Sequence, residues 1–170
     1  MDLLDAGCGR GDFTNRLHQL FGFHKSLGID FATAMLEVAD GDYGQIPGLS
    51  FANVDLSQIL PFENNKFDVS LALNILHHLL PDDQQNLIAE LCRITKAIIV
   101  VEIKQPHILW RIRGGYRAFG YLQFYPSEIQ LIEKLFLEQG YGLVATKPIF
   151  HFAAFSPIVL LIFKPTESNK

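Results

Sequence analysis

Gly7, Gly9 and Gly11 stand at every second position between an apolar run and a segment of helical period, in Leu3-Leu4-Asp5-Ala6-Gly7-Cys8-Gly9-Arg10-Gly11. Glycine permits positive φ and lets a ligand lie against bare backbone. A helix that starts directly after such a turn offers unpaired amide groups to an anionic ligand group. The opening of the chain therefore reads as a strand–turn–helix unit. In a doubly wound sheet its ligand crevice lies at the carboxyl end of the strand.

The remaining pattern extends that unit. Met1–Ala6 reads as a strand and Asp12–Phe21 as a helix with Phe13, Leu17, Leu20 and Phe21 on one face and Gly22 as its stop. Ser26–Asp30 is a short strand, and Thr33 can N-cap a helix bearing Met35, Leu36, Val38 and Ala39. Gly41–Gly48 is rich in turn residues; Leu49–Val54 and Phe67–Leu73 are further strands. Asp82–Thr95 reads as a helix facing Leu87, Ile88, Leu91 and Cys92 inward. The β-branched run Ala97–Ile103 suits a strand buried on both faces. Pro126–Gln139 reads as a helix with a capping box from Ser127 to Gln130, closed by Gly140. Tyr141–Thr146 and Ile158–Phe163 finish the chain as strands with no helix between them. Repeated βα units predict a three-layer, Rossmann-like α/β sheet of about seven strands, mostly parallel with an antiparallel last strand. One domain is expected over residues 1–165, with a polar tail over 166–170.

Two ligand classes compete for the glycine turn. A dinucleotide site asks for G-x-G-x-x-G, whereas this chain has G-x-G-x-G with Asp5 two residues ahead. A carboxylate there would repel a pyrophosphate and suit a ligand carrying an ammonium and a sulfonium. A tight turn with no ligand is the alternative. Asp30 ends the second strand about twenty residues further on, where a carboxylate can accept both hydroxyls of a ribose; a strand-end turn or helix cap would explain it too. Asp55 ends the third strand, where it can meet an adenine amino group while Leu56 covers the ring, or form an Asx turn before Ser57. Three acidic residues at successive strand ends would project into one crevice.

Composition sets bounds on the function. Hydrophobic residues make up 49% and charged residues 19%, enough to fill a core, and the net charge is −4. A protein that coats nucleic acid would show a basic footprint instead. The two cysteines, Cys8 and Cys92, form no disulfide framework, so a reducing cytoplasm is the expected location. Ile149–Phe163 is the longest apolar stretch, but His151 and Pro157 interrupt it, and it is too short to span a bilayer.

The stretch Leu3–Leu80 resembles class I S-adenosylmethionine-dependent methyltransferases, particularly the ubiquinone/menaquinone biosynthesis type. The resemblance is carried by Asp5-Ala6-Gly7-Cys8-Gly9-Arg10-Gly11, Gly28-Ile29-Asp30 with Ala34-Met35-Leu36, Asp55-Leu56 with Leu60-Pro61-Phe62, and Phe67 to Leu79 through Asn74-Ile75-Leu76-His77-His78. It implies S-adenosyl-L-methionine as cofactor and a small-molecule methyl acceptor. Asp5, Gly7, Cys8 and Gly9 would line the methionine part of the donor. Asp30, Phe31 and Met35 would border the ribose, Asp55 and Leu56 the adenine, and Asn74 and Ile75 the sulfonium. No Asn-Pro-Pro-Tyr-type turn follows the fourth strand, which counts against methylation of amino groups on bases or glutamine.

Methyl transfer starts from an activated donor, so the protein chiefly aligns and shields, and a base is needed only if the acceptor must lose a proton. His77 and His78 are the candidate bases, because they follow the fourth strand and histidine titrates near neutrality; shaping the turn is their alternative role. No metal site is expected from them, since no ligand spacing supports one. Lys104–Tyr125, with Trp110, Arg111, Arg113, Tyr116, Arg117, Phe119, Tyr121 and Phe124, is expected at the mouth of the crevice, where part of it would border the acceptor. Methyltransferases of this type carry helices ahead of the first strand, and here Met1 stands at its start. A homo-oligomer or a partner subunit completing the lid is one expectation. A non-catalytic donor-binding or partner-binding module is a competing function. An NAD-dependent oxidoreductase is opposed by Asp5 and the glycine spacing.

Overall fold

The computed structural model describes residues 1–104, 125, 127–149 and 158–166. Seven strands form one sheet: β1 (Asp2–Ala6), β2 (Lys25–Asp30), β3 (Leu49–Asn53), β4 (Phe67–Ala72), β5 (Thr95–Lys104), β6 (Tyr141–Pro148) and β7 (Ile158–Pro165). The helices are α1 (Asp12–Phe21), α2 (Thr33–Tyr43), α3 (Pro81–Ile94) and α4 (Ile129–Glu138), with a 3₁₀ turn at Leu76–His78. The strand order is β3-β2-β1-β4-β5-β7-β6. β1 to β5 run parallel, while β7 is antiparallel to both β5 and β6. The expected mostly parallel sheet with an antiparallel last strand is therefore present.

The order reverses between β1 and β4. Crossovers leave β1 in one direction and β4 in the other, and right-handed connections then put α1 and α2 on one face and α3 on the opposite face. The break leaves a crevice beyond the carboxyl ends of β1 and β4. The strands are held by apolar burial: Leu3, Leu4, Ile29, Leu71, Ile99, Val101 and Ile103 are all buried. From α3, Leu87, Ile88, Leu91 and Cys92 pack inward as their spacing predicted. Phe136 of α4 stacks on Phe163 of β7 with centroids 3.8 Å apart and planes 13° from parallel. In β5 Ile99, Val101, Ile103 and Lys104 are buried, while Ile98, Val100 and Glu102 are half-buried. Among the described residues one face of the strand is thus fully covered and the other partly covered.

Helix α1 turns a different face inward from the one its large apolar residues suggest. Thr14 and His18 are buried, whereas Phe13, Leu20 and Phe21 are exposed at 48%, 70% and 61%. Polar satisfaction accounts for the rotation. Thr14 Oγ1 donates to buried Asp5, and His18 Nδ1 lies 2.9 Å from Ser26 Oγ with Nε2 at 3.2 Å from the Pro47 carbonyl. Buried polar atoms left unmatched cost about 1–3 kcal/mol each. Two helix starts also differ from expectation. Ala32, not Thr33, occupies the N-cap of α2. Helix α4 begins at Ile129, because Ser127 Oγ donates to Gln84 Oε1 at 2.7 Å instead of capping. In α2, Leu36 and Ala39 are buried while Met35 and Val38 stay exposed.

The β3–β4 connection, 54–66, is tied to α3 by a buttress no local pattern announces. Arg93 pairs with Glu90 at 2.6 Å and donates to the carbonyls of Phe62 and Leu60 at 2.7 and 3.0 Å. Glu90 in turn accepts the Leu60 amide at 2.8 Å. At the chain's end Thr166, placed in the polar tail by its sequence, donates its amide to the Gly140 carbonyl at 2.8 Å. Residues 167–170 lie outside the described residues.

Candidate active site

The glycine turn is built as its composition demands. Gly7, Gly9 and Gly11 have φ of 83°, 54° and 77°, in the region closed to most L side chains. Two of them also meet tight packing. A Cβ on Gly7 would lie 2.8 Å from Ile75 Cβ, and one on Gly11 would lie 2.6 Å from the Phe51 ring. A Cβ on Gly9 would meet none of the described residues within 4 Å, so among them the outer surface of the turn is bare backbone. The amides of Gly7 and Cys8 donate to the Ile29 carbonyl at 2.8 and 3.1 Å, which anchors the turn to β2.

Asp5 and Asp30 flank this turn from β1 and β2. Asp30 accepts the Gly9 amide on Oδ2 and the Ala32 amide on Oδ1, both at 2.9 Å. Its carboxylate thus fixes the turn and the start of α2, and it keeps lone pairs for a ligand, since each oxygen accepts twice. Asp5 is 3% exposed and accepts the Thr14 hydroxyl at 2.6 Å. Burial pushes its pKa up to about 6; the Thr14 bond opposes that, and the Asp30 charge adds to it. Negative charge therefore accumulates at this end of the crevice at a cost to the chain, which a cationic ligand would offset. Cys8 is half-buried, and burial together with both carboxylates raises its thiol to about 12. A thiol so held is a poor nucleophile.

The other expected residues occupy the same rim or the core beneath it. Phe31 and Met35 are exposed at 67% and 45% beside the end of β2. Asn53 steadies that corner, its Nδ2 donating to the Phe31 carbonyl at 2.9 Å. Asp55 is exposed and accepts Ser57 N and Oγ at 2.9 and 2.8 Å, an Asx turn that also lowers its pKa. Leu56 points into the core at 2% exposure.

Beyond β4, Asn74 has φ 56° and Ile75 is buried against Gly7. His77 is 2% exposed; its Nε2 lies 3.0 Å from Lys104 Nζ, and Nζ also donates to Asn74 Oδ1 at 2.7 Å. Burial, aided by the nearby His78 and Lys104 charges, pushes the His77 pKa down to about 3. A ring held neutral in this way is a weak base. His78 is exposed, its ring centroid 4.0 Å from that of His77. Sequence reasoning missed Thr14 as a site residue and took in Lys104 only as the start of the segment expected at the crevice mouth. A lysine closing an apolar strand at its carboxyl end was the available signal for Lys104, and a hydroxyl on the first turn of α1 was the signal for Thr14. Residues from Trp110 to Phe124, expected to border the acceptor, lie outside the described residues. A cavity of about 460 Å³ opens at the opposite, amino ends of the strands, beside Asp2, Lys25 and Lys66, away from this crevice.

Comparison with known proteins agrees with the geometry. A family model described as a methyltransferase domain matches residues 3–97. A malonyl-[acyl-carrier protein] O-methyltransferase of Legionella pneumophila is 33% identical over 75 residues, which is 44% of this chain and 26% of that protein. The match thus takes in about a quarter of that relative's length. Among solved structures, a Synechocystis magnesium protoporphyrin IX methyltransferase with bound S-adenosylhomocysteine (SAH) superposes with TM-score 0.77 at 20% identity, covering 96% of this chain and 74% of that one. The putative methyltransferase of Haloferax volcanii, in complex with the Trm112 activator, gives TM-score 0.80 at 15% identity, covering 98% and 82%. The chain therefore belongs to the methyltransferase-domain family and has the class I S-adenosylmethionine-dependent methyltransferase fold.

Proposed function

We propose that the chain uses S-adenosyl-L-methionine to methylate a small-molecule acceptor. The observation that carries this reading is the pair of carboxylates, Asp5 and Asp30, on either side of the bare backbone at Gly9. The turn leaves room where a side chain would stand, and the charge around it suits a ligand with an ammonium and a sulfonium. Asp5, Gly7, Cys8 and Gly9 would hold the methionine part, and Asp30 the ribose. Phe31 and Met35 offer exposed apolar surface for the nucleoside. Asp55 stands at the rim for the adenine amino group, with Leu56 behind it in the core. Asn74 and Ile75 would border the sulfonium.

The bound donor supplies a methyl group already activated for in-line displacement, with the carbon–sulfur pair departing to sulfur. The chain's own part is placement and shielding. Gly7 and Gly9 let the backbone approach, Asp30 holds the turn in register, and Ile75 closes its inner side. His77 is too buried and too weakly basic to be the favoured proton acceptor, so His78, exposed beside it, is the better of the two candidate bases. A small acceptor is supported by the names of the Legionella and Synechocystis proteins. The activator complex of the Haloferax protein supports a second possibility, a partner subunit that completes the site. No helix among the described residues is long and apolar enough to cross a membrane. With Cys8 and Cys92 both free, the cytoplasm remains the proposed location.

Calorimetric titration with S-adenosylmethionine and with SAH tests the reading. Wild type should bind both, with SAH at least as tight, and Asp30→Ala should bind far more weakly while folded. A folded wild type that binds neither would falsify the proposal. Binding of both S-adenosylmethionine and SAH with no methyl transfer to any small acceptor, together with a stable protein complex, would favour the non-catalytic module.

A further inference from the structure

Lys104 is the last residue of β5 and is 8% exposed. Lysine is almost never buried so deeply unless its ammonium is engaged. Here Nζ lies 2.7 Å from Asn74 Oδ1 and 3.0 Å from His77 Nε2. An ammonium has donors and no lone pair, so Nε2 must accept, and the neutral ring carries its proton on Nδ1. Both partners belong to the turn after β4, 30 and 27 residues before Lys104.

That turn is backbone-strained and leans on the glycine turn. Asn74 has φ 56°, a conformation costing about 1–2 kcal/mol for most side chains and tolerated best by Asn among the non-glycine residues. The next residue, Ile75, is buried, with Cβ and Cγ1 at 2.8 and 2.9 Å from where a Cβ on Gly7 would lie. Ile75 therefore packs closely on the Gly7 backbone, which places Asn74 one residue away from a side chain that supports the turn.

We infer that Lys104 is a positioning residue for the donor, clamping Asn74 and His77 so that Ile75 holds Gly7 in its binding conformation. The inference rests on the reading of the glycine turn as the donor site. The contact chain runs Lys104, Asn74, Ile75, Gly7, from β5 to the first turn of the protein. The same lysine fixes the His77 tautomer and occupies its Nε2, which removes that nitrogen from service toward an acceptor.

The test combines SAH titration with ¹⁵N NMR of the His77 ring, on wild type, Lys104→Met, Lys104→Arg, Asn74→Gly and the Lys104→Met/Asn74→Gly double variant. Lys104→Met should weaken SAH binding roughly tenfold and shift the His77 ring from a pure Nδ1–H form toward a mixture. Lys104→Arg, also donor-only, should keep the Nδ1–H signature. Asn74→Gly keeps the positive φ but loses the clamp together with whatever contact Asn74 itself makes with the donor, so it should weaken binding at least as much as Lys104→Met, and Lys104→Met should add little on top of it. Folded Lys104→Met with wild-type affinity, or an unchanged His77 ring, would overturn the inference. If Lys104→Met does not fold, Asn74→Gly decides from the other end of the bond, and wild-type affinity there is the overturning result. If wild type itself binds no SAH, the donor reading fails while the His77 signature still judges the clamp.

Discussion

The two sides of the crevice are built on opposite plans. On the β1–β2 side, backbone amides and carboxylates hold one another: Asp30 takes the amides of Gly9 and Ala32, and Asp5 lies beneath with Thr14. On the β4–β5 side, a buried lysine ties a neutral histidine and an asparagine of left-handed backbone. Negative charge gathers at one end and positive charge at the other. Each arrangement is awkward in isolation, a carboxylate raised by burial on one side and an imidazole lowered by burial on the other. Sites that depend on such perturbed groups are typical of function. The difference teaches that the β1–β2 side is held chiefly by main chain, while the β4–β5 side is held by side chains reaching between distant segments.

Several variants separate the two plans. The largest effect is expected at Gly11, where a Cβ adds φ strain to a 2.6 Å approach to Phe51. Gly11→Ala should cost about 3 kcal/mol or more in urea unfolding, and a cost near zero would mean the turn is far looser than its packing implies.

Next is a contrast in pH. Asp5 rises from 3.8 to about 6 in the folded protein. Its contribution is fully present below pH 4 and is lost as pH climbs through 6, on the order of 2–3 kcal/mol. His77 falls from 6.5 to about 3, so its contribution is present above pH 6.5 and is lost as pH falls. Asp5→Asn should therefore remove a loss of stability on going up from pH 4 to 7, and His77→Gln a loss on going down. Melting curves across that range read both; tilts of the same sign in the two variants would break the contrast.

Gly9→Ala should cost only about 1 kcal/mol of stability, because nothing crowds the new Cβ and only φ is strained. It should nevertheless weaken SAH binding well beyond that cost, as the methyl would stand where the ligand approaches; calorimetry showing equal losses in both would count against a donor over this turn. The smallest effect is expected for His78→Ala. Its ring is exposed, so stability should change by about 0.5 kcal/mol or less. Any fall in methyl transfer without a fall in donor affinity would then mark it as the base.

Much of the β1–β2 side could be read along the chain, since its rules are local. Alternating glycines demand positive φ, and acids that end strands must lie at the carboxyl edge of a parallel sheet. Asp55 illustrates the limit: its position in the chain admits an adenine contact or an Asx turn, and the fold shows the turn with Ser57. Helix α1 buries a face other than its apolar stripe, because the buried partners beneath it, Asp5 and Ser26, are polar. Ser127 looked like a helix cap and instead pairs with Gln84, 43 residues away.

Glycine spacing, the period of the apolar residues and the alternation of strands with helices were enough to specify a parallel sheet with a ligand crevice at its switch point, because steric and hydrophobic preferences act within a few residues. Which side chains share a proton or a charge there was settled by folding alone. Lys104 meets Asn74 and His77, and Asp5 loses its water, through packing between segments far apart in the chain, and desolvation is a property of the assembled core rather than of any stretch of it.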